Sequence, residues 1–327
     1  MNKFIRLFNT VKYLKLKQIY FRLFYFARDR VRKTLGFKYE FSKGSKSTPL
    51  KLAKSCDSYS SYSNGEFSFL NLSKKFDENI DWNYNKYGKL WTYNLTYFEY
   101  LKEKEDIALI YNFIDNIENI KDGLEPFPIS LRGINWIKFL TYHDIKDKKI
   151  DDSLYAQYYI LLDNLEYHLL GNHLLENGFS LLFGAYYFED EKLYKKAIEI
   201  LKSELEEQIL DDGGHFELSP MYHQIMLFRL LDCINLVKNS SYKNQELLKF
   251  LTSKAELMLG WLKNISYENG DIPLFNDSAN CIAPTSKQLF EYANNLKLII
   301  KNSTLKESGY RKIDKEKYES VIDIGEV

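Results

Sequence analysis

Apolar residues recur at helical spacing through most of this 327-residue chain. From about residue 93 onward they return every three or four positions in one segment after another, which predicts amphipathic helices. Short breaks rich in Gly, Asn, Asp or Pro separate the segments, so consecutive helices should be antiparallel neighbours. The predicted helices span residues 93–102, 104–119, 130–143, 151–169, 173–187, 190–208, 219–238, 244–265 and 286–301.

These helices alternate in charge along the chain. The segments that begin near residues 130, 173, 219 and 286 carry few charges, whereas those that begin at 151, 190 and 244 carry many. Such alternation is typical of an inner layer of helices covered by an outer, solvated layer. It predicts an all-α fold, an (α/α) toroid of helical hairpins, with a short β-like tail at the C-terminus.

The pattern divides the chain into three regions. Residues 1–92 should form a basic N-terminal helix, over 4–35, and an irregular, aromatic-rich lead-in that packs on the toroid. Residues 93–304 should form the toroid itself. Residues 305–327 alternate like two short strands, which cannot make a stable sheet alone, and predict the start of a truncated β domain.

The N-terminal segment is strongly basic, with ten Lys and Arg residues among residues 1–33. A helix of this composition could pack on the main domain, remain solvated, or make peripheral contact with an anionic membrane. No apolar run reaches the roughly 18 residues that span a bilayer, and the runs here are too interrupted for a signal-peptide core.

Composition argues against several other classes of protein. Lys+Arg and Asp+Glu both number 45, so no net positive charge indicates a nucleic-acid partner. The three cysteines are far apart and have neither a disulfide framework nor zinc-ligand spacing. No phosphate-binding loop, dinucleotide-binding glycine motif or nucleophile-elbow motif is present. The sequence therefore predicts no cofactor and no metal.

Four of the five histidines lie in or beside two short motifs, 171–178 and 211–224. Asn172 and His173 stand at the start of one predicted inner helix. In the next inner helix Ser219 and Pro220 predict the N-cap and the first helical residue, which places Tyr222 in the first turn. Because one outer helix separates the two inner helices, their N-termini should open on the same rim and these side chains should converge.

Further polar residues are expected on that rim, namely Arg132, Asn135, His215, Glu217, His223, Asn276 and Asp277. Free N–H groups at a helix start favour negative charge, so the Tyr222 phenol should ionise more easily than a free tyrosine. Each residue also has an ordinary interpretation. Asn172 could be only an N-cap, His173 a structural hydrogen-bonding residue, Tyr222 a core aromatic and Arg132 a salt-bridged residue.

Together these motifs resemble the heparinase II/III family of polysaccharide lyases. The matching stretches are 128–136, 171–177, 212–223 and 270–278, and the resemblance covers nearly the whole chain. The opening residues 10–22 are similar to members found with bacterial surface-polysaccharide genes. The family implies an N-terminal toroid, a C-terminal β-sandwich and a cleft between them that binds an acidic polysaccharide. The implied reaction is β-elimination on uronic-acid residues. The sequence leaves the compartment open between the periplasm and the cytoplasm of a bacterium.

By motif, Asn172 and His173 match the family residues that neutralise the uronate carboxylate, and Tyr222 matches the catalytic tyrosine. In the family the β-sandwich adds a further catalytic histidine, and this chain ends about where that motif should follow. The sequence thus predicts a lyase-like toroid or, alternatively, a non-catalytic glycan-binding or assembly factor in surface-polysaccharide biosynthesis. A glycoside hydrolase is a third class, which would need two carboxylates such as Glu176 or Glu217 with Asp277.

Overall fold

The computed structural model describes residues 12–77, 79–243 and 245–325. Within these ranges the chain is mostly helical, with two small antiparallel sheets. The helices are α1 Leu16–Thr34, α2 Lys89–Tyr97, α3 Ile107–Asn116, α4 Pro126–Tyr142, α5 Lys148–Asp163, α6 Gly171–Phe188, α7 Glu191–Gln208, α8 Pro220–Lys238, α9 Gln245–Ile265 and α10 Ser286–Asn295.

The helices form two concentric layers. In the inner layer α2 packs on α4, α4 on α6, α6 on α8 and α8 on α10. In the outer layer α5 packs on α4 and α6, α7 on α6 and α9 on α8. The inner helix α6 is buried around almost its whole circumference, whereas α7 buries only one side. The prediction of an all-α fold built as an (α/α) toroid is therefore confirmed.

Helix ends follow local signals where the sequence provides them. The Ser219 hydroxyl accepts the N–H of Tyr222 and so caps α8, which begins at Pro220 as expected. Asp190 caps α7 in the same way. Some helices begin earlier than predicted. For example, α4 starts at Pro126, four residues before the predicted start at residue 130. The predicted helix over 4–35 corresponds to α1, and residues 4–11 lie outside the described residues.

The lead-in before the toroid is more regular than the sequence suggested. It contains an antiparallel meander of β1 Ser61–Ser63, β2 Glu66–Phe69 and β3 Leu72–Lys75, with Tyr62 opposite Phe67. Phe67 and Phe69 are buried and pack on Tyr100. The sequence predicted an irregular connection over residues 38–65 and an extended segment over 66–90. The first prediction was therefore wrong for β1, whereas β2 and β3 are extended as expected and lie beside α2.

The extended residues 43–58 form a strap across the C-terminal ends of the inner helices. The N–H of Thr48 donates to the carbonyl of Tyr187 at 2.7 Å, near the end of α6. Ala53 exchanges two hydrogen bonds with the side chain of Asn235, near the end of α8, and its carbonyl accepts from Tyr142 at the end of α4. All three inner helices therefore point the same way, with their C-termini beneath the strap and their N-termini at the opposite rim.

At the C-terminus, β4 Tyr310–Lys315 pairs with β5 Tyr318–Asp323 in an antiparallel hairpin, as the alternating pattern predicts. The hairpin is anchored to the toroid, because the Lys312 ammonium donates to the carbonyl of Ser266 at 2.7 Å. The hydroxyl of Tyr310 donates to the carbonyl of Leu218, just before α8. None of the helices in the described ranges is long and apolar enough to cross a membrane.

Candidate functional site

The candidate site lies on the N-terminal rim, defined as the end of the inner layer where α4, α6 and α8 begin. The chain reaches α6 through a tight turn in which Leu170 and Gly171 both have positive φ, 61° and 58°. A Cβ at Gly171 would lie 3.6 Å from Oε1 of Glu217 in the segment that leads into α8. The two motifs that are fifty residues apart in sequence therefore meet here.

His173 is held by a buried carboxylate that the sequence did not single out. Its Nδ1 lies 3.0 Å from Oε1 of Glu166, and Asn177 clamps the other carboxylate oxygen at 2.9 Å. Burial lowers the pKa of His173, but the hydrogen bond to Glu166 and the charges of Glu166 and Glu217 outweigh burial and leave the pKa raised. The imidazole ring lies against Phe127 and remains about 42% exposed, so the cation can face a ligand.

Asn172 stands beside His173 in the first turn of α6 and is half-buried. Its side-chain amide makes no hydrogen bond within the described ranges, so both its donor and its acceptor are available to a ligand. The Glu217 carboxyl lies at the same turn. Its pKa is raised by burial, although the backbone N–H of Asn172 and the charge of His173 act in the opposite direction.

Tyr222 occupies the first turn of α8, as expected, and the loop 270–278 packs against that turn. The hydroxyls of Ser219 and Ser278 lie 2.8 Å apart, and Ser219 also donates to the carbonyl of Asp277. The pKa of Tyr222 is raised by burial and then by the carboxylates of Asp277 and Glu217. The prediction of an easily ionised phenol was therefore wrong, because burial, and after it these acidic neighbours, disfavours a phenolate at the helix start.

The loop residue Asn276 has a mainly structural position. Its Nδ2 donates to the carbonyl of Leu218 at 2.7 Å and lies 3.4 Å from the hydroxyl of Tyr310. It joins the loop, the entrance to α8 and the C-terminal hairpin. Asp277 follows it and contributes negative charge next to Tyr222.

His215 and His223 do not reach the surface of the rim. Both residues are at most 1% exposed, and the ring of His223 lies tilted against that of Trp261 with centroids 4.4 Å apart. Nε2 of His223 lies 3.1 Å from the carbonyl oxygen of Met258, and Nε2 of His215 lies 3.1 Å from Gln208. Burial lowers the pKa of each histidine to about 3. The sequence predicted that both histidines contact substrate. The structure instead places them in the core as neutral residues.

Arg132 is also removed from the rim. Its side chain is fully buried, and its guanidinium donates to Oε1 of Gln157 at 2.7 Å and to the carbonyls of Thr96 and Gly123 at 3.0 and 2.9 Å. The ring of Phe113 lies under the cation. The sequence placed Arg132 on the rim as a substrate-binding residue. It is buried because backbone carbonyls from segments distant in sequence surround its guanidinium. Arg132 cross-links α2, α4 and α5 instead of binding substrate.

Asn135 faces the interior of the ring rather than the rim. Its Nδ2 donates to the carbonyl of Tyr97 at 2.8 Å, and it lines a cavity of about 510 Å³ between the strap and the inner helices. At the edge of this cavity Arg229 pairs with Glu176 at 3.1 Å and with Glu99 at 2.7 Å. Glu176 is 1% exposed. It is therefore inaccessible to a substrate, which removes it as a hydrolase carboxylate.

The rim thus brings together Asn172, His173, Glu217, Tyr222 and Asp277, and places Arg132, Asn135, His215 and His223 elsewhere. It places the imidazole of His173, whose pKa is raised, among the carboxyl groups of Glu166, Glu217 and Asp277, with the amide of Asn172 beside it. Within the described residues no cluster of three or more His, Cys, Asp or Glu side chains could hold a metal ion. This arrangement can bind a carboxylate and exchange a proton with a bound ligand.

Comparisons with known proteins agree with the motif resemblance. A family model described as Heparinase II/III N-terminus matches residues 136–306. The chain is 27% identical to a heparin-sulfate lyase from Bacteroides stercoris over 144 aligned residues. The aligned region covers 43% of this chain and 21% of that protein.

Among solved structures, heparan sulfate lyase HepC from Pedobacter heparinus aligns at 17% identity and a TM-score of 0.45, over 79% of this chain and 48% of that one. A structure of heparinase III aligns at 20% identity and a TM-score of 0.43, over 62% of this chain and 37% of that one. The chain therefore spans less than half the length of these relatives. Because the family model covers more than half of the chain, this protein belongs to the heparinase II/III family.

Proposed function

We propose that this chain carries the toroid portion of a polysaccharide lyase that cleaves a uronic-acid-containing glycan by β-elimination. The observation that carries the proposal is the convergence of Asn172, His173 and Tyr222 on the N-terminal rim, with the pKa of His173 held up by Glu166. Family membership supports the reaction class.

The first requirement of this reaction is to neutralise the carboxylate of the uronate. Its charge opposes loss of the C5 proton, since a second negative centre must develop beside it. The His173 cation and the free amide of Asn172 are adjacent donors that could bind both carboxylate oxygens. Glu166 has a positioning role, because it fixes the ring and favours its charged form.

The second requirement is proton transfer at two atoms. A base takes the C5 proton, the C4–O bond breaks, a C4–C5 double bond forms and the departing oxygen receives a proton. The raised pKa of Tyr222 keeps the phenol protonated near neutral pH. Tyr222 is therefore suited to donate the proton to the departing oxygen. The negative charges of Asp277 and Glu217 help burial to favour the protonated phenol.

The experiment compares the 327-residue chain with variants on several uronate polysaccharides, including heparan sulfate, alginate and hyaluronan. Two quantities are measured, namely glycan binding by calorimetry and the ultraviolet absorbance of the C4–C5 unsaturated product. Tyr222→Phe should retain binding and lose product, whereas Asn172→Ala and His173→Ala should weaken binding at least tenfold, about 1.4 kcal/mol. Tyr194→Phe, at a half-buried tyrosine of the outer helix α7, is the matched control.

Each alternative predicts a different result. Binding without unsaturated product would favour the glycan-binding or assembly factor. Chain cleavage without a double bond would favour a hydrolase, for which the half-buried Glu217 and the exposed Asp277 are the carboxylates on the rim. Binding that survives both Asn172→Ala and His173→Ala would contradict the assignment of the carboxylate site.

A further inference from the structure

Helix α1 presents an unusual outward face. Its large apolar residues Leu16, Tyr20, Leu23, Phe24, Phe26 and Val31 are between 43% and 85% exposed, and no residue of this helix is buried. We call these six side chains the α1 apolar face. A single exposed leucine needs no explanation, but a contiguous exposed apolar surface marks an interaction site.

The opposite face of α1 is fixed to the toroid, which determines where the α1 apolar face points. Phe21 stacks on Tyr167 with ring centroids 4.5 Å apart. The hydroxyl of Tyr25 donates to the carbonyl of Leu165 at 2.6 Å, and Arg28 donates to the carbonyl of Asp163 at the same distance. Arg32 forms a salt bridge with the Asp163 carboxylate and lies beside Tyr39. The helix is therefore held along its length.

Helical geometry separates the two faces. The Gln18 side chain also docks, because its Nε2 donates to the carbonyl of Leu169 at 2.9 Å. At about 100° per residue, the docked residues 18, 21, 25, 28 and 32 cluster on one side of the helix. The α1 apolar face lies on the other side, and the polar residues that share that side are Arg30 and Thr34. A soluble amphipathic helix buries its apolar side and solvates its polar side. Here the side turned to solvent is the apolar one.

Charge indicates what covers this face. Residues 12–38 contain nine Lys and Arg and a single acidic residue, Asp29. Arg22 and Lys33 flank the α1 apolar face and Arg30 lies within it, so these long basic side chains can extend toward an anionic surface. A second copy of this chain would bring two equally basic helices together, and like charges across an interface are unfavourable. Anionic lipid headgroups are complementary to both the charge and the apolar surface.

We propose that α1 binds the surface of an anionic membrane. The helix lies parallel to the bilayer, with the α1 apolar face inserted below the headgroups and the flanking basic residues paired with lipid phosphates. The connection to which α1 is docked, residues 163–169, also carries Glu166, the partner of His173. Membrane binding would therefore keep the N-terminal rim close to the lipid surface.

The test is co-sedimentation of the full chain with lipid vesicles. One set contains phosphatidylcholine alone, and the other contains equal parts of phosphatidylcholine and phosphatidylglycerol. The chain should bind the anionic vesicles, bind the neutral vesicles at least tenfold more weakly, and dissociate as salt is raised, because salt screens the headgroup charge.

Two double variants with the same charge change locate the contact. Leu23→Glu with Phe26→Glu alters the α1 apolar face, and Ile299→Glu with Ile324→Glu alters side chains of similar exposure elsewhere. Because none of the four packs in the core, both variants should fold, which circular dichroism checks. The first should reduce the partition coefficient at least tenfold and the second should leave it near that of the parent.

Several results would overturn the proposal. They are absence of binding to anionic vesicles, equal losses in the two double variants, and a concentration-dependent dimer that Leu23→Glu with Phe26→Glu dissociates. The last result would assign the α1 apolar face to a second copy of the chain. None of these results depends on polysaccharide cleavage, so the proposal fails or stands independently of the lyase proposal.

Discussion

Replacing His223 by glutamine should flatten the pH dependence of the free energy of unfolding between about pH 6.5 and pH 5. His223 is fully buried beside Trp261, with Nε2 3.1 Å from the carbonyl oxygen of Met258. Glutamine keeps an N–H donor near that carbonyl but cannot be protonated in this range. The substitution therefore removes one titrating group while it retains the hydrogen bond.

The magnitude follows from the two protonation equilibria. Burial lowers the pKa of His223 from 6.5 to about 3, and the charge of His215 adds to this effect. Below pH 6.5 the unfolded chain binds a proton that the folded chain does not bind, so stability is lost as the pH falls. One pH unit corresponds to about 1.4 kcal/mol for each such group. Down to about pH 5, His223 should account for a loss of roughly 2 kcal/mol, and His215 for a similar loss.

The assay is urea unfolding at several pH values, followed by the fluorescence of tryptophan, since Trp261 contacts the ring directly. The comparison uses the slope of the unfolding free energy against pH, because His223→Gln also changes packing at every pH. His143→Gln is the control, since His143 is only partly buried at the end of α4. It removes one histidine without removing a fully buried one.

The reasoning is refuted if His223→Gln and the parent protein lose the same free energy over this range. That result would mean that the folded state binds the proton as readily as the unfolded state does. A slope flattened in His143→Gln as much as in His223→Gln would also contradict it, because burial would then not be the property that determines the effect.

Two other substitutions test single contacts. Glu166→Gln should lower the pKa of His173, because a charged hydrogen-bond partner is lost; an NMR titration of the ring checks this, and an unchanged pKa would remove the positioning role. Gly213→Ala should cost roughly 2 kcal/mol or more beyond Gly270→Ala in urea unfolding. Both glycines have φ +88°, but a Cβ at Gly213 would lie 2.4 Å from the carbonyl oxygen of Leu257, whereas a Cβ at Gly270 would have no atom within 4 Å. Equal losses of stability in the two variants would refute the clash.

The helical architecture was accessible from the sequence because it depends on local signals. The period of the apolar residues located the helices, and the alternation of charge distinguished the inner from the outer layer. Caps such as Ser219 fixed an end to within a residue. The pairing of the strands over residues 61–75 was missed, although Asn64-Gly65 between two short stretches of alternating polar and aromatic residues is a strong hairpin signal. That signal could have predicted the first turn.

The site was only partly accessible, since burial depends on contacts between distant segments. Arg132 lies near the start of a predicted amphipathic helix. The residues around it in sequence do not show that the carbonyls of Thr96 and Gly123 will surround its guanidinium. Glu166 lies just before the motif that contains His173, but its role depends on the turn that brings it back to the ring. Motif position therefore identified the helix starts and not the depth of each side chain.

The direction of the pKa shift at Tyr222 bears on how the rim works. The dipole of α8 favours negative charge there, but it acts with partial charges. Burial, and after it the carboxylates of Asp277 and Glu217, raises the pKa of Tyr222 against that dipole. A polysaccharide that carries uronates would add further negative charge and hold the phenol proton more firmly. The rim by itself therefore favours Tyr222 as the acid of an elimination. The base that takes the C5 proton is then a group other than His173, because an imidazolium that binds the uronate carboxylate has no lone pair left to accept a proton.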